Sequence, residues 1–282
     1  MIQYDKHWIC LNGEISECDY IDKNFASTPS SIYEVVRIID GIPLFIEAHL
    51  QRLMLSCKAR GLAFDFNKFN IEDGIFKLIH QYEKKEGNIE IIIQHPNNEY
   101  TESFYIAHYI PHKYPSPAEY THGVEAVYYY SERVRPEIKS KNKSLRDASN
   151  VIIKNQNVYE VILVNKQRQI TEGSRSNIFF VKNNSLYTAP ESMVLNGISR
   201  QIIIKLARLN GIPVNEESVL FDNIHKFDSA FLTGTSPKIL PIKRLENCTF
   251  NVNSDVIQKL IESFDDTICI YIKEKKDFLI IP

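Results

Sequence analysis

The sequence predicts a two-domain α/β protein, and three observations carry that expectation. Short β-branched runs alternate along the chain with stretches of 3.6-residue apolar periodicity. The length of 282 residues is about twice that of a common domain. Residues 111–121, PHKYPSPAEYT, hold three prolines and are the one linker-like composition in the chain. The boundary is expected there, giving an N-terminal α/β domain over 1–115 and a C-terminal α/β domain over 116–282.

The elements follow in order. Ile32 to Ile39 is rich in β-branched residues, Asp40-Gly41 follows, and Ile42-Pro43-Leu44-Phe45 resumes the apolar run, which is the pattern of a hairpin with a two-residue turn. On the two-residue period Tyr33, Val35 and Arg37 share one face. Ile46, Leu50, Leu53, Met54 and Cys57 recur at helical spacing, with Gly61 as the stop signal; Arg52 lies off that stripe. A second helix carries Ile71, Ile75, Leu78, Ile79 and Tyr82. Strands are expected from Asn88 to Gln94 and from Ser103 to Ile110. After the proline-rich segment come a strand from Val124 to Tyr130, a basic polar stretch, and a helix on Leu145, Ala148, Ile152 and Ile153. Further strands are expected at Glu160 to Val164, Ser176 to Val181, Ser185 to Thr188 and Ser229 to Leu232. A helix starts near Ser199, carries Ile202, Leu206 and Leu209 and ends at Gly211, and a last helix carries Ile257, Leu260, Ile261 and Phe264; the segment after Asp265 is ambiguous.

Composition narrows the function. Apolar residues make up 44% and charged residues 24%, enough apolar surface to offset the entropy of ordering, which excludes a disordered chain. Lys+Arg is 33 against Asp+Glu 35, a net charge of −2, which argues against nucleic acid as a partner. Five scattered cysteines, Cys10, Cys18, Cys57, Cys248 and Cys269, show no metal-type spacing and read as free thiols in a reducing compartment. No apolar run is long enough for a membrane span, and MIQYDKHWIC is too polar for a secretory signal. The expected location is the cytoplasm.

Taken singly, the candidate chemical residues are ordinary: Lys139 in a polar stretch, Glu172 before a glycine, Arg52 on a helix, Thr235-Ser236 in a turn. Their contexts are not ordinary. The segments YEVVRIIDGIPLFIEAHLQRLMLS (33–56), EIKSKN (137–142), YEVILVNKQRQITEGSRSNIFFV (159–181), LNGISRQ (195–201) and FLTGTSPKILPI (231–242) stand in order and at fitting intervals. In these the chain resembles the class IV pyridoxal-phosphate-dependent aminotransferases, the group of D-amino-acid and branched-chain aminotransferases and aminodeoxychorismate lyases.

That resemblance implies a two-domain D-amino-acid aminotransferase-like fold with pyridoxal 5′-phosphate in the interdomain cleft, and a homodimer. It implies that Lys139 is the Schiff-base lysine, since a primary amine condenses with an aldehyde and afterwards shuttles protons. The spacing to Tyr159-Glu160 favours Lys139 over Lys143; Arg135, Lys141 and Lys143 are nearby charges. Glu172 would face the pyridine nitrogen, where a carboxylate keeps the ring an electron acceptor. Arg52 would pair with the phosphate through its guanidinium fork. Ile198 and Ser199 would bring a helix N-terminus to that phosphate, and Thr235 and Ser236 would add backbone amides and hydroxyls. Ser174 and Asn177 are further cofactor contacts. Tyr33 would line the substrate pocket, with Arg37 on the same face for a substrate carboxylate.

The implied activity is amino-group transfer between an amino acid, branched-chain or D, and a 2-oxo acid. A 4-amino-4-deoxychorismate lyase using the same Lys139 and Glu172 is the alternative; a non-catalytic module that binds the cofactor is the alternative of another class. The substrate side departs from relatives that carry an arginine on a later strand. Here that strand reads NIEIIIQHPNN, with Gln94 or His95 near the place. The loops around 20–31, 95–102 and 111–121 would shape the pocket.

Overall fold

A computed structural model describes residues 7–18, 31–96, 101–133, 135–140 and 142–280. The chain divides into two compact units. The first comprises Met1–His112, Ile138–Lys141 and Cys269–Pro282; the second comprises Lys113–Glu137 and Asn142–Ile268. The expected boundary at 115/116 would have assigned Ile138–Lys141 and Cys269–Pro282 to the second domain; in the units they lie with the first.

The first unit contains β1 (His7–Leu11), β2 (Glu14–Cys18), β3 (Ser31–Ile39), β4 (Ile42–Pro43), α1 (Ile46–Ala59), α2 (Ile71–Tyr82), β5 (Gly87–Gln94) and β6 (Phe104–Ile110). Its strands form a six-stranded sheet among the described residues, in the order β2-β1-β6-β5-β3-β4. Every pairing in it is antiparallel. The β3–β4 hairpin closes through Asp40 at φ 54° and Gly41 at φ 78°, the two positive φ values that a tight hairpin turn requires. One sheet face carries Ile32, Val36, Ile38, Ile89, Ile91, Ile93 and Tyr105, which pack with Leu53 and Cys57 of α1 and Ile75 and Leu78 of α2. Fully burying a side chain of this size stabilises by about 1.5–3 kcal/mol, so this face holds the unit together. The opposite face presents Tyr33, Val35 and Ile92 as a separate small cluster.

The second unit contains α3 (Pro117–His122), β7 (Val124–Tyr130), α4 (Lys143–Gln156), β8 (Glu160–Val164), β9 (Gln169–Gly173), β10 (Asn177–Lys182), β11 (Ser185–Thr188), α5 (Ile198–Leu209), β12 (Val214–Glu216), β13 (Val219–Leu220), β14 (Ser229–Gly234), β15 (Lys238–Leu245), β16 (Cys248–Thr249) and the start of α6 (Asp255–Ile280). Its strands run β12-β11-β10-β14-β15-β7-β8-β9-β13, with β16 beside β15. The β11–β12, β15–β7 and β7–β8 pairs are parallel. Ile162, Val164, Ile178, Phe180, Leu232 and Leu240 form the core on this sheet.

One expectation is corrected here and one open stretch is assigned. The proline-rich segment is not all linker: Ser116 caps α3 in a reciprocal capping box with Glu119, and Pro117 sits in the first turn, where its missing N–H costs nothing. The ambiguous stretch after Asp265 is helix, and α6 runs on to Ile280. All five cysteines are free thiols.

Candidate active site

In the first unit the centre of charge is Glu34, on β3 and fully buried. The strand's alternation puts Glu34 on the side of Ile32 and Val36, toward α1. Arg52 donates from Nε to Glu34 Oε1 at 2.7 Å and from Nη2 to Oε2 at 2.8 Å. His49, one turn earlier on α1, lies with Nδ1 3.0 Å from Oε2. A carboxylate only accepts, so Nδ1 carries the hydrogen. Arg52 was expected off the buried stripe of α1; the stripe runs instead through Ile46, His49, Arg52, Leu53, Ser56 and Cys57, and Met54 is exposed. The ion pair with Glu34 is what draws an arginine inward.

Burial alone would raise the Glu34 carboxyl, but the charge and hydrogen bonds of Arg52 override it, helped by His49 and the Lys139 ammonium. The group is held far below the usual carboxylate range. Burial pushes His49 below its ordinary value, against the pull of Glu34. A guanidinium has five N–H donors, of which Glu34 engages Nε and Nη2.

Lys139 belongs to this unit. Its carbonyl accepts from the Tyr33 N–H at 3.5 Å, and its own N–H reaches Ser56 Oγ of α1 at 3.4 Å. Its Nζ stands 5.0 Å from the centroid of the Tyr33 ring. Arg37 is half-buried on the Tyr33 face, opposite Asn88 of β5. Of the neighbouring charges, Arg135 pairs with Glu137 at 3.1 Å, Lys143 opens α4, and Lys141 lies outside the described residues. Most of the 20–31 loop and residues 97–100 of the next loop also lie outside them.

In the second unit Glu172, at the end of β9, is 2% exposed. Arg133 donates from Nε to its Oε1 at 2.7 Å, and Leu195 N–H and Asn177 Nδ2 approach Oε2 at 3.1 and 3.5 Å. Asn177 also holds the Leu195 carbonyl at 2.9 Å. Ser174 and Ser176 both donate to buried Glu160 of β8, at 2.6 and 2.9 Å, so the Ser174 hydroxyl is engaged within the protein. Arg133 Nη2 reaches the Ser174 carbonyl at 3.2 Å. The turn from Glu172 to Ser176 is thus fastened from both sides. Gly173 suits it because a Cβ there would collide with Ser176 Oγ.

Ile198 and Ser199 open α5 behind Gly197, whose own Cβ would collide with Asn177 Oδ1. No side chain caps this helix, so its first N–H groups point outward from the Asn177 end. Thr233 of β14 sits opposite Asn177, fully buried, and its hydroxyl has no hydrogen-bond partner among the described residues. Thr235 and Ser236 are half-buried in the β14–β15 turn. Glu34, His49, Arg133 and Glu160 escaped the sequence reading. The available signal was an acidic residue at an inward strand position, which must find a partner.

Residues 31–245 match the Amino-transferase class IV family. The chain belongs to that family. The D-alanine aminotransferase of Listeria monocytogenes is 29% identical over 238 residues, covering 76% of this chain and 78% of that protein. That of Bacillus licheniformis is 27% identical over 86% of this chain and 89% of its own length. Among solved structures, the branched-chain aminotransferase of Thermoproteus uzoniensis superposes with a TM-score of 0.81 at 23% identity, covering 96% of this chain and 97% of that one; it shares the fold.

The cofactor of class IV aminotransferases is pyridoxal 5′-phosphate. Each unit, taken by itself, holds groups of the kind this cofactor needs. One unit offers a lysine amine and a guanidinium; the other offers a buried carboxylate, an uncapped helix N-terminus and the buried Thr233 hydroxyl. Among the described residues no cluster suits a metal ion, and no helix is long and apolar enough to cross a membrane.

Proposed function

We propose that this chain transfers an amino group between an amino acid and a 2-oxo acid, with Lys139 as the catalytic lysine. The observation that carries the reading is the setting of Lys139: its main chain is tied to β3 and α1, and its amine stands over Tyr33 beside the Glu34–Arg52–His49 cluster. When bound, pyridoxal phosphate supplies a ring that draws electrons from the substrate α-carbon. Lys139 Nζ removes the proton from that carbon and returns it, as a positioned amine does in general acid–base catalysis. Glu172 is the carboxylate that would hold the ring nitrogen. Its orientation is fixed by Arg133, the Leu195 N–H and Asn177, so no reorganisation is needed as charge moves. Arg52, the α5 N-terminus with Ile198 and Ser199, and Thr235 and Ser236 hold the phosphate. Ser174 contributes through its backbone, because Glu160 occupies its hydroxyl.

Tyr33 and Arg37 take the substrate side, with Arg37 for the carboxylate. The relatives named D-alanine aminotransferase favour a small D-amino acid as the donor. The working form is a homodimer in the cytoplasm, a location in keeping with five free thiols.

Visible absorbance of the protein reconstituted with pyridoxal phosphate tests this, with Lys139→Ala beside it and D- and L-donors added singly. The expected result is a band that shifts with a D-donor in wild type and fails to shift in the variant. Pyruvate released from aminodeoxychorismate without an oxo-acid acceptor would replace this reading by the lyase. A bound cofactor unresponsive to every donor would replace it by a binding module.

A further inference from the structure

Helix α1 carries His49 and Arg52, yet its own start is poorly provided for. The residue before it, Phe45, has φ 52° and ψ 38°, a left-handed conformation for a bulky non-glycine residue, and no side chain in its N-cap position serves the first turn. Such a backbone persists only where the surroundings over-determine it. Here the surroundings come from the far end of the chain. Tyr271 of α6 lies within the first unit. Its hydroxyl accepts the Ile46 N–H at 3.1 Å and donates to Glu47 Oε2 at 2.8 Å, and its ring packs on Phe45 at 4.9 Å between centroids. One turn on, Lys275 bridges Glu47 at 2.5 Å and Glu72, in the first turn of α2, at 2.8 Å. Lys276 pairs with Asp40 in the β3–β4 turn. The contacts fall on successive parts of one stretch: the hairpin turn, the helix cap, and the neighbouring helix start.

We infer that Tyr271 and Lys275 are positioning residues for the cofactor phosphate: they set the N-terminus of α1, and through that helix the guanidinium of Arg52. Arg52 is six residues, about 9 Å of helix rise, from the capped Ile46. Glu34 fixes the inner side of the Arg52 guanidinium, and the Tyr271 cap fixes the helix on which it stands. The inference rests on the reading of Arg52 as a phosphate ligand.

The test compares two probes on the full-length apoprotein: pyridoxal 5′-phosphate and pyridoxal, which lacks the phosphate. Affinity is read from absorbance for wild type, Tyr271→Phe, Lys275→Met and Arg52→Gln. Tyr271→Phe removes both the bond from the Ile46 N–H and the bond to Glu47; it should weaken pyridoxal phosphate by about 3- to 10-fold, the equivalent of one neutral hydrogen bond transmitted through α1, while pyridoxal binding changes less than about twofold. Lys275→Met, which spares the cap hydroxyl, should act in the same sense and less strongly. Equal losses for both probes, or no loss for either, overturn the positioning role. Arg52→Gln separates the two readings. If it leaves the ratio of the probes unchanged, the phosphate role of Arg52 falls, and this inference falls with it. If it shifts the ratio while Tyr271→Phe does not, only the inference falls.

Discussion

Two buried carboxylates, Glu34 in the first unit and Glu160 in the second, solve the same problem differently. Glu34 is satisfied by charged and titratable side chains reaching from a helix: Arg52 through two N–H donors and His49 through one. Glu160 is satisfied by neutral groups of its own neighbourhood: the hydroxyls of Ser174 and Ser176 and the N–H groups of Val161 and Arg175. The first arrangement couples a strand to a helix through charge and is sensitive to proton concentration. The second fastens a turn through ordinary hydrogen bonds. Charge is used beside the lysine amine, and neutral donors are used beneath the turn that carries Glu172.

The largest expected effect breaks the charged cluster. Glu34→Gln leaves Arg52 and His49 buried without a counter-charge, and removing one partner of a buried pair costs about 3–5 kcal/mol. A urea midpoint unchanged from wild type would show that Arg52 finds other compensation. Glu160→Gln is the matching change in the second unit. Its amide oxygen still accepts and no buried charge loses its counter-charge, so the cost is about 1–3 kcal/mol, and its midpoint should fall less than that of Glu34→Gln; the reverse order would invert the comparison.

The smallest effect is the pH dependence. His49 titrates below its ordinary 6.5 when folded, because of its burial. In the window below 6.5 the unfolded chain therefore binds more protons, and stability falls as pH falls. Glu34 is depressed below its ordinary 4.5, so a second loss follows as pH drops under that value. Both contributions are fully present above 6.5. His49→Gln should remove the upper stage of the acid loss and leave the lower one; urea midpoints between pH 7 and 3 for wild type and this variant test it.

The sequence made the hairpin, the α1 and α2 helices and the β5, β7 and β8 strands legible because their apolar periods are strong, and the hairpin turn and the end of α1 are further marked by Asp40-Gly41 and Gly61. It left β9 unread, since QITEG alternates too briefly to stand out. Arg52 became a candidate phosphate partner only through family likeness. Its burial was hidden because the partner, Glu34, lies on another element, and helical periodicity alone treats a charged residue as solvated. Glu34 itself stood in plain view between Tyr33 and Val35, at an inward position of a half-apolar strand. Arg133 carried no local signal: it lies in a basic run, and the turn that brings it to Glu172 has no periodicity. The end of α6 was obscured by its charged run, KEKK, two members of which prove to be ion-paired within the first unit.

The first unit is discontinuous in sequence: Cys269–Pro282 belongs to it, although the residues before that segment form the second unit, and so does the short excursion Ile138–Lys141. Synthesis proceeds from the N-terminus at about 5–20 residues per second, so roughly ten to thirty seconds separate the emergence of its first part from that of its last. Lys139 joins the residues of the first unit early in that interval, and the cap that Tyr271 makes on α1 waits until its close. The first unit cannot be completed before the residues of the second have been synthesised.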